Sequence, residues 1–306
     1  MFWGCTAGVD DSGMDTDTDI DTDTDTDTDT DTDTDTDTDT DTDTDADMVP
    51  LPEGVTEHII EQEIDGKSVS RKVIIQTPRP LDRSKSYPIL FFFHGNGGQP
   101  DGFVSMLGPD LERDQWVGVY PEGYLRSWNL GKEDSTADDV AFVRTIVDDL
   151  KQYEELNLDR TFAAGFSNGA GMVHRLGIET DLFKGIAPVA SALTDERAPK
   201  SGQPMAVIQL HGMDDKVCPY EGGESVTGHT FLNVEDSINS WAVYNQCAET
   251  PNTTTTSEGN TRIRYSGCAD GVDVVHYGFP GVGHNVPKTV EGGLMALIWS
   301  HFEAIK

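Results

Sequence analysis

Ser167 has the surroundings of a nucleophile. It sits in Gly165-Phe166-Ser167-Asn168-Gly169, a G-x-S-x-G pattern. The pattern needs glycine on both sides because the turn is sharp and neighbouring backbone comes close. It holds a hydroxyl exposed between a strand and a helix. At a helix N-terminus the local positive potential also favours an oxygen gaining negative charge. A serine hydroxyl attacks only when a base takes its proton. The chain order that accompanies this turn is serine, acid, histidine. Downstream acids at a strand end are Asp214 and Asp215, in Leu210-His211-Gly212-Met213-Asp214-Asp215. Downstream histidines are His211, His229, His276, His284 and His301. His284 stands in the glycine-rich Pro280-Gly281-Val282-Gly283-His284-Asn285, after a strand-like stretch, where a base can be delivered. His276 lies inside that stretch and reads as structural. His301 reads as a surface residue of the last helix, and His229 lies in a loop with no supporting pattern.

A second glycine-rich turn, His94-Gly95-Asn96-Gly97-Gly98, follows the apolar run Ile89–Phe93. Alone it fits a tight turn. Beside the serine turn and the His284 loop it reads as an oxyanion hole, formed by the backbone N–H groups of Asn96 and Asn168. His94 reads as a structural hydrogen-bonder.

The elements that must hold these residues alternate. Strands are predicted at Val73–Ile75, Ile89–Phe93, Trp116–Tyr120, Thr161–Ala164, Gly185–Ala190, Met205–Leu210, Thr261–Tyr265 and Val272–Tyr277. Apolar residues at Val140, Val143, Ile146, Val147, Leu150 and Tyr153 predict a helix over Asp138–Leu156. Further helices are predicted after Ser167 through Ile178, over Phe231–Cys247 and over Val290–Ile305. Apolar strands alternating with amphipathic helices mean an α/β fold with a mostly parallel sheet. Ligands of such sheets bind at the carboxyl ends of the strands, and three strands end at His94, Ser167 and His211.

Composition divides the chain. Of 306 residues, 55 are acidic and 21 basic, a net charge of −34. The first 48 residues hold 19 aspartates and no Lys or Arg, which leaves 36 acidic and 21 basic groups, net −15, for residues 49–306. The Asp-Thr alternation from Asp15 to Asp47 has no apolar face, so ordering it is uncompensated. It is expected to be a disordered linker over residues 1–48, its 33-residue tract reaching at most about 110 Å. Calcium binding by this tract is disfavoured, because the glycines that turn a chain around the ion are missing. The remaining 258 residues suffice for one large domain. The charge excludes a nucleic-acid surface, and no apolar run has membrane-spanning length. Met1-Phe2-Trp3-Gly4-Cys5 lacks a charged n-region and apolar stretch. A small residue before cysteine, followed by a polar linker, nevertheless resembles the end of a bacterial lipoprotein signal, with Cys5 lipidated and the true start upstream.

Together the motifs resemble the α/β-hydrolase esterases related to feruloyl esterases and polyhydroxybutyrate depolymerases, the carbohydrate esterase family 1-like group. The resemblance runs over roughly residues 55–305. It rests on the His94-Gly95 loop, Tyr120-Pro121-Glu122-Gly123, Ser127-Trp128-Asn129, Asp138-Asp139-Val140-Ala141-Phe142, the Ser167 turn, His211-Gly212-Met213-Asp214-Asp215 with Pro219-Tyr220, and Gly283-His284. It implies Ser167 as nucleophile, His284 as base and Asp215, by the H-G-x-x-D spacing, as acid; residue types alone leave Asp214 and Asp215 open. It also implies a disulfide between Cys247 and Cys268, and so an oxidising compartment, consistent with an extracellular or cell-surface enzyme. Two positions depart from the family pattern: Val286 replaces a tryptophan, and Cys218 replaces the valine before Pro219-Tyr220. The expected activity is serine esterase, on feruloyl or acetyl esters of plant polysaccharides; the alternative is a polyhydroxyalkanoate depolymerase or a short-chain carboxylesterase. The partner is an ester substrate, linked to a polysaccharide or polyester. No metal or organic cofactor is needed, and a membrane enters only through lipid on Cys5.

Overall fold

A computed structural model describes residues 48–306 except 198, 200, 201, 286–289, 291, 292 and 306. Cys5, the aspartate tract and Val286 lie outside the described residues. In chain order the elements are β1 (Val55–Ile64), β2 (Lys67–Gln76), β3 (Tyr87–Phe93), α1 (Asp101–Asp114), β4 (Val117–Pro121), α2 (Asp139–Leu150) and β5 (Leu156–Phe166). There follow α3 (Asn168–Glu179), β6 (Gly185–Val189), β7 (Ala206–Gly212), the short pair β8 (Gly223–Glu224) and β9 (Thr230–Phe231), and α4 (Val234–Tyr244). The last are β10 (Asn252–Thr255), β11 (Thr261–Tyr265), β12 (Val274–Phe279) and α5 (Leu294–Glu303).

Ten strands form one sheet in the order β1-β2-β4-β3-β5-β6-β7-β12-β11-β10. The six from β4 to β12 run parallel; the outer strands pair antiparallel at both edges. This is the mostly parallel α/β sheet that the alternation predicts. Central strands covered on both faces must be apolar at every position, and all seven residues of β3 are buried. Their period of two divides the core. Phe91 and Phe93 join Trp128, Phe142, Met172 and Trp241 on the face carrying α2, α3 and α4. Leu90 and Phe92 join Leu111, Trp116, Trp299 and Phe302 on the face carrying α1 and α5.

Some elements differ from the sequence expectation for local reasons. The predicted helix Asp138–Leu156 stops at Leu150, and Leu156 instead opens β5 opposite Tyr87. Tyr153 continued the helical spacing because the intervening turn also buries it. The last helix starts at Leu294, after Gly293 at φ 91°, not at Val290. Phe231 is strand, and α4 begins only after Asn233, whose side chain accepts from the Glu235 N–H at 2.8 Å. β1 gives little apolar contrast because its residues alternate exposed and half-buried. α1 contains Gly102, Gly108 and Pro109, which weaken a helical signal.

Candidate active site

The site is built at the carboxyl ends of β3, β5 and β7. Ser167 links β5 to α3 at φ 57° and ψ −119°, a conformation that L-residues occupy only under constraint. Its N–H is tied to the Val189 carbonyl at 2.9 Å. The flanking glycines are required by contact. A Cβ on Gly169 would stand 2.1 Å from the Phe93 oxygen, and one on Gly165 would stand 2.4 Å from the Gly169 oxygen. β3, β5 and α3 thus meet backbone to backbone at the serine.

His284 reaches Ser167 from the loop after β12. Its Nε2 lies 2.8 Å from Ser167 Oγ, and its Nδ1 lies 2.8 Å from Asp215 Oδ2. A carboxylate only accepts, so Nδ1–H donates to Asp215 and Nε2 is left to accept from the serine hydroxyl. Asp215 is buried, whereas Asp214 is exposed. Asp215 Oδ1 accepts from the Val217 N–H at 2.8 Å and the Cys218 N–H at 2.9 Å. Burial by itself would raise the Asp215 carboxyl, but hydrogen bonds from His211, His284 and the Cys218 N–H hold it well below the usual carboxylate range. His211 Nε2 is 3.4 Å from Asp215 Oδ2 and 2.9 Å from the Cys218 carbonyl, so it braces the turn that carries the acid. Gly212 lets the histidine loop approach, since a Cβ there would meet the Val282 oxygen at 2.3 Å. The Asp214 N–H then closes on the Val282 carbonyl at 2.9 Å.

The turn after β3 is held from several sides. His94 Nε2 accepts from the Gly123 N–H at 2.9 Å, so Nδ1 carries the proton shared with the Gly95 carbonyl at 2.8 Å. The Gly97 N–H donates to the Arg126 carbonyl at 2.7 Å, from a strained turn in which Leu125 and Arg126 have φ of 54° and 62°. Asn96 lines the cavity that opens at Ser167. Asn168 is the first residue of α3, where helix geometry leaves N–H groups without an intrahelical partner. Its side chain has a separate role. Oδ1 accepts from the Trp128 N–H at 2.8 Å, while Nδ2 donates to the Trp128 carbonyl at 3.0 Å and to Glu133 at 3.1 Å. The Ser127-Trp128-Asn129 segment is fixed in turn by Asp139, which accepts from the Asn129 N–H at 2.7 Å and pairs with Arg71 at 2.8 Å. Both ionic side chains are buried, and the Arg71 guanidinium stacks 3.6 Å from the centre of the Phe142 ring.

The cavity measures about 390 Å³, within the range of small-molecule sites. Two residues of its lining carry no motif: Glu133, which the sequence reading did not name, and His229, which it set aside as a base. Their Oε1 and Nε2 atoms are 2.9 Å apart. Neither has a local sequence signal, because 96 residues separate them and only the fold makes them neighbours. The other histidines lie elsewhere. His276 bridges the Tyr220 hydroxyl and the Gln209 carbonyl inside the protein. His301 is half-buried on α5: burial pushes its imidazole down to about 4, and its Nε2 is enclosed without a hydrogen-bond partner. Cys218 lines the cavity, but burial, and then the Asp215 charge, push its thiol up to about 12. Cys247 and Cys268 form a disulfide. Among the described residues no group of three or more His, Cys, Asp or Glu side chains is placed to hold a metal.

No family model matches this chain. Over 229 residues, 70% of its length, the chain is 29% identical to feruloyl esterase B of Piromyces equi, of which it spans 42%. It is 26% identical over 223 residues to feruloyl esterase C of Emericella nidulans, covering 68% of this chain and 74% of that one. Its fold is similar to that of an acetyl xylan esterase from Aspergillus awamori, with a TM-score of 0.56 at 14% identity, over 76% of this chain and 94% of the other. The fold is therefore that of the α/β-hydrolases. Both of these relatives by sequence are feruloyl esterases, of whose lengths the chain spans 42% and 74%. Among the described residues no helix is long and apolar enough to cross a membrane.

Proposed function

We propose that this chain is a serine esterase in which Ser167 is the nucleophile, His284 the base and Asp215 the orienting acid, acting on feruloyl or acetyl esters of plant polysaccharides. The observation that carries the reading is the continuous relay from Asp215 Oδ2 through both nitrogens of His284 to Ser167 Oγ, each step 2.8 Å. His284 takes the serine proton as Oγ attacks the ester carbonyl, and Asp215 stabilises the imidazolium. The N–H groups of Asn96 and Asn168 receive the oxyanion, each such donor contributing roughly 3–4 kcal/mol. The alcohol leaves with the proton from His284. Water, deprotonated by the same imidazole, then releases the acid from Ser167.

Residues 49–306 would form the catalytic domain and residues 1–48 a linker, with lipid on Cys5 tethering it to a cell surface. The Cys247–Cys268 disulfide supports an extracellular or cell-surface setting. The test is hydrolysis of methyl ferulate and p-nitrophenyl butyrate by the full chain and its Ser167→Ala variant. Turnover of both esters, lost in the variant with folding intact, is the expected result. Turnover of butyrate alone would move the assignment to a short-chain esterase or polyester depolymerase. Turnover that survives Ser167→Ala would overturn the mechanism.

A further inference from the structure

We propose that Glu133 is a positioning residue of the oxyanion hole: by gripping the side-chain amide of Asn168 it fixes the first turn of α3 and, with it, the Asn168 N–H. This role deepens the serine-esterase reading above and rests on it.

Ser167 holds its strained φ of 57° where β5 passes into α3. Strain of that kind persists only where the surroundings over-determine it, so the next residue needs restraint to keep its N–H in place. Asn168 is restrained at every polar site of its side chain. Oδ1 accepts from the Trp128 N–H at 2.8 Å and from the Ser127 hydroxyl at 3.3 Å. Nδ2 donates to the Trp128 carbonyl at 3.0 Å and to Glu133 Oε1 at 3.1 Å. An amide has two N–H donors and two lone pairs on its oxygen, so the set is complete. Ser127 and Trp128 make three of these bonds, and Glu133 makes the fourth.

Glu133 is held just as fully. Oε2 accepts from the Leu130 and Lys132 N–H groups at 2.8 and 3.2 Å. Oε1 accepts from Asn168 and from His229 Nε2, the latter at 2.9 Å. Burial opposes its charge, but the bond from His229 and those from the backbone hold the carboxyl below its ordinary value. An ionised carboxylate with donors at all its lone pairs is engaged by the protein and has none to spare for a substrate. Glu133, Asn168 and Ser167 all line the catalytic cavity. A negative charge there repels the oxyanion that forms at Ser167. Such a charge works against the reaction unless the geometry it imposes on the oxyanion donor is worth more.

The test is hydrolysis of p-nitrophenyl butyrate, and its inhibition by butaneboronic acid, in the unaltered chain, Glu133→Gln, Asn168→Ala and the double variant. Ser167 Oγ adds to the boron, its proton passes to His284, and the tetrahedral boronate places an oxygen in the oxyanion hole. In Glu133→Gln the Leu130 and Lys132 N–H groups cannot become acceptors, whereas His229 can change tautomer. The new NH2 therefore faces His229 and opposes the Asn168 NH2. We expect kcat to fall about tenfold to a hundredfold, part of what loss of an oxyanion donor costs, with KM within about threefold. The inhibition constant of the boronate should rise by the same factor. Asn168→Ala opens the same clamp from its other end and should show the same changes. The double variant should lose no more than Asn168→Ala alone. Glu133→Ala, which leaves room for water at the freed donors, gives the same reading should Glu133→Gln not fold. A folded Glu133 variant that keeps or raises kcat overturns the proposal, because its carboxylate then only stabilises the loop or only repels the oxyanion. A fall in kcat with boronate inhibition unmoved, or single losses that multiply in the double variant, overturns it as well. Each of these results leaves the esterase reading standing. An unaltered protein that cleaves neither p-nitrophenyl butyrate nor methyl ferulate removes that reading, and the role of Glu133 with it.

Discussion

Replacing Asp215 by asparagine tests the relay at its buried end. The two backbone N–H groups at Oδ1 decide which way the new amide faces. Turning the amide nitrogen toward them would set donor against donor, at about 1–3 kcal/mol for each buried N–H left unpaired, roughly 2–6 kcal/mol together. The amide oxygen therefore stays on Val217 and Cys218, and its NH2 points at His284 Nδ1. The imidazole must then accept at Nδ1 and carry its proton on Nε2, facing Ser167. It can no longer take the serine proton. Loss of the correct tautomer in this way lowers kcat by about 10⁴, about 5 kcal/mol of transition-state stabilisation. The assay is kcat for p-nitrophenyl butyrate in the unaltered protein, Asp215→Asn and Asp214→Asn, with circular-dichroism melting to verify folding. Asp214 is exposed and outside the relay, so its variant should stay within about twofold. An Asp215→Asn protein that keeps more than a tenth of kcat, or an Asp214→Asn protein that loses as much, would refute the reasoning.

Further outcomes follow from the same contacts. The folded pKa of Asp215 lies below its unfolded value of about 3.9. Its contribution to stability is thus complete above about pH 4 and is lost as pH falls toward the folded value; urea midpoints at pH 6 and pH 3 should differ less for Asp215→Asn than for the unaltered protein. Arg71→Ala leaves Asp139 charged and unpaired in the interior and should cost about 3–5 kcal/mol in urea unfolding. Reducing the Cys247–Cys268 bond, whose partners are 21 positions apart, should cost about 3 kcal/mol in the chain-entropy account and lower the melting temperature; an unchanged melt would refute that account.

How much was legible depended on whether the signal was local. The central strands read clearly because burial on two faces demands unbroken apolar runs such as Ile89–Phe93. β1 did not, because an edge strand with half-exposed faces has no such contrast. The serine turn was legible because two backbone approaches forbid a side chain at Gly165 and Gly169. Asn168 was read for its backbone N–H, while the bracing role of its amide on Trp128 depends on a partner 40 residues away. His301 was read as a surface residue and is half-buried, because the packing of α5 on the sheet, which the sequence does not show, encloses its Nε2.

The amino-acid sequence by itself determined the alternation of strands and helices, the sharp turn at Ser167 and the order of the residues that can do chemistry. These follow from local sterics and periodicity, which neighbours in the chain express. Between Asp214 and Asp215 residue types chose neither and only the H-G-x-x-D spacing of the resemblance pointed to Asp215; the tertiary structure adds that the turn after β7 brings Asp215, not the exposed Asp214, to His284. It alone joined Glu133 to His229. Such pairings are set by where distant segments cross, and a carboxylate or an imidazole carries no mark in the sequence of the partner that folding will bring to it.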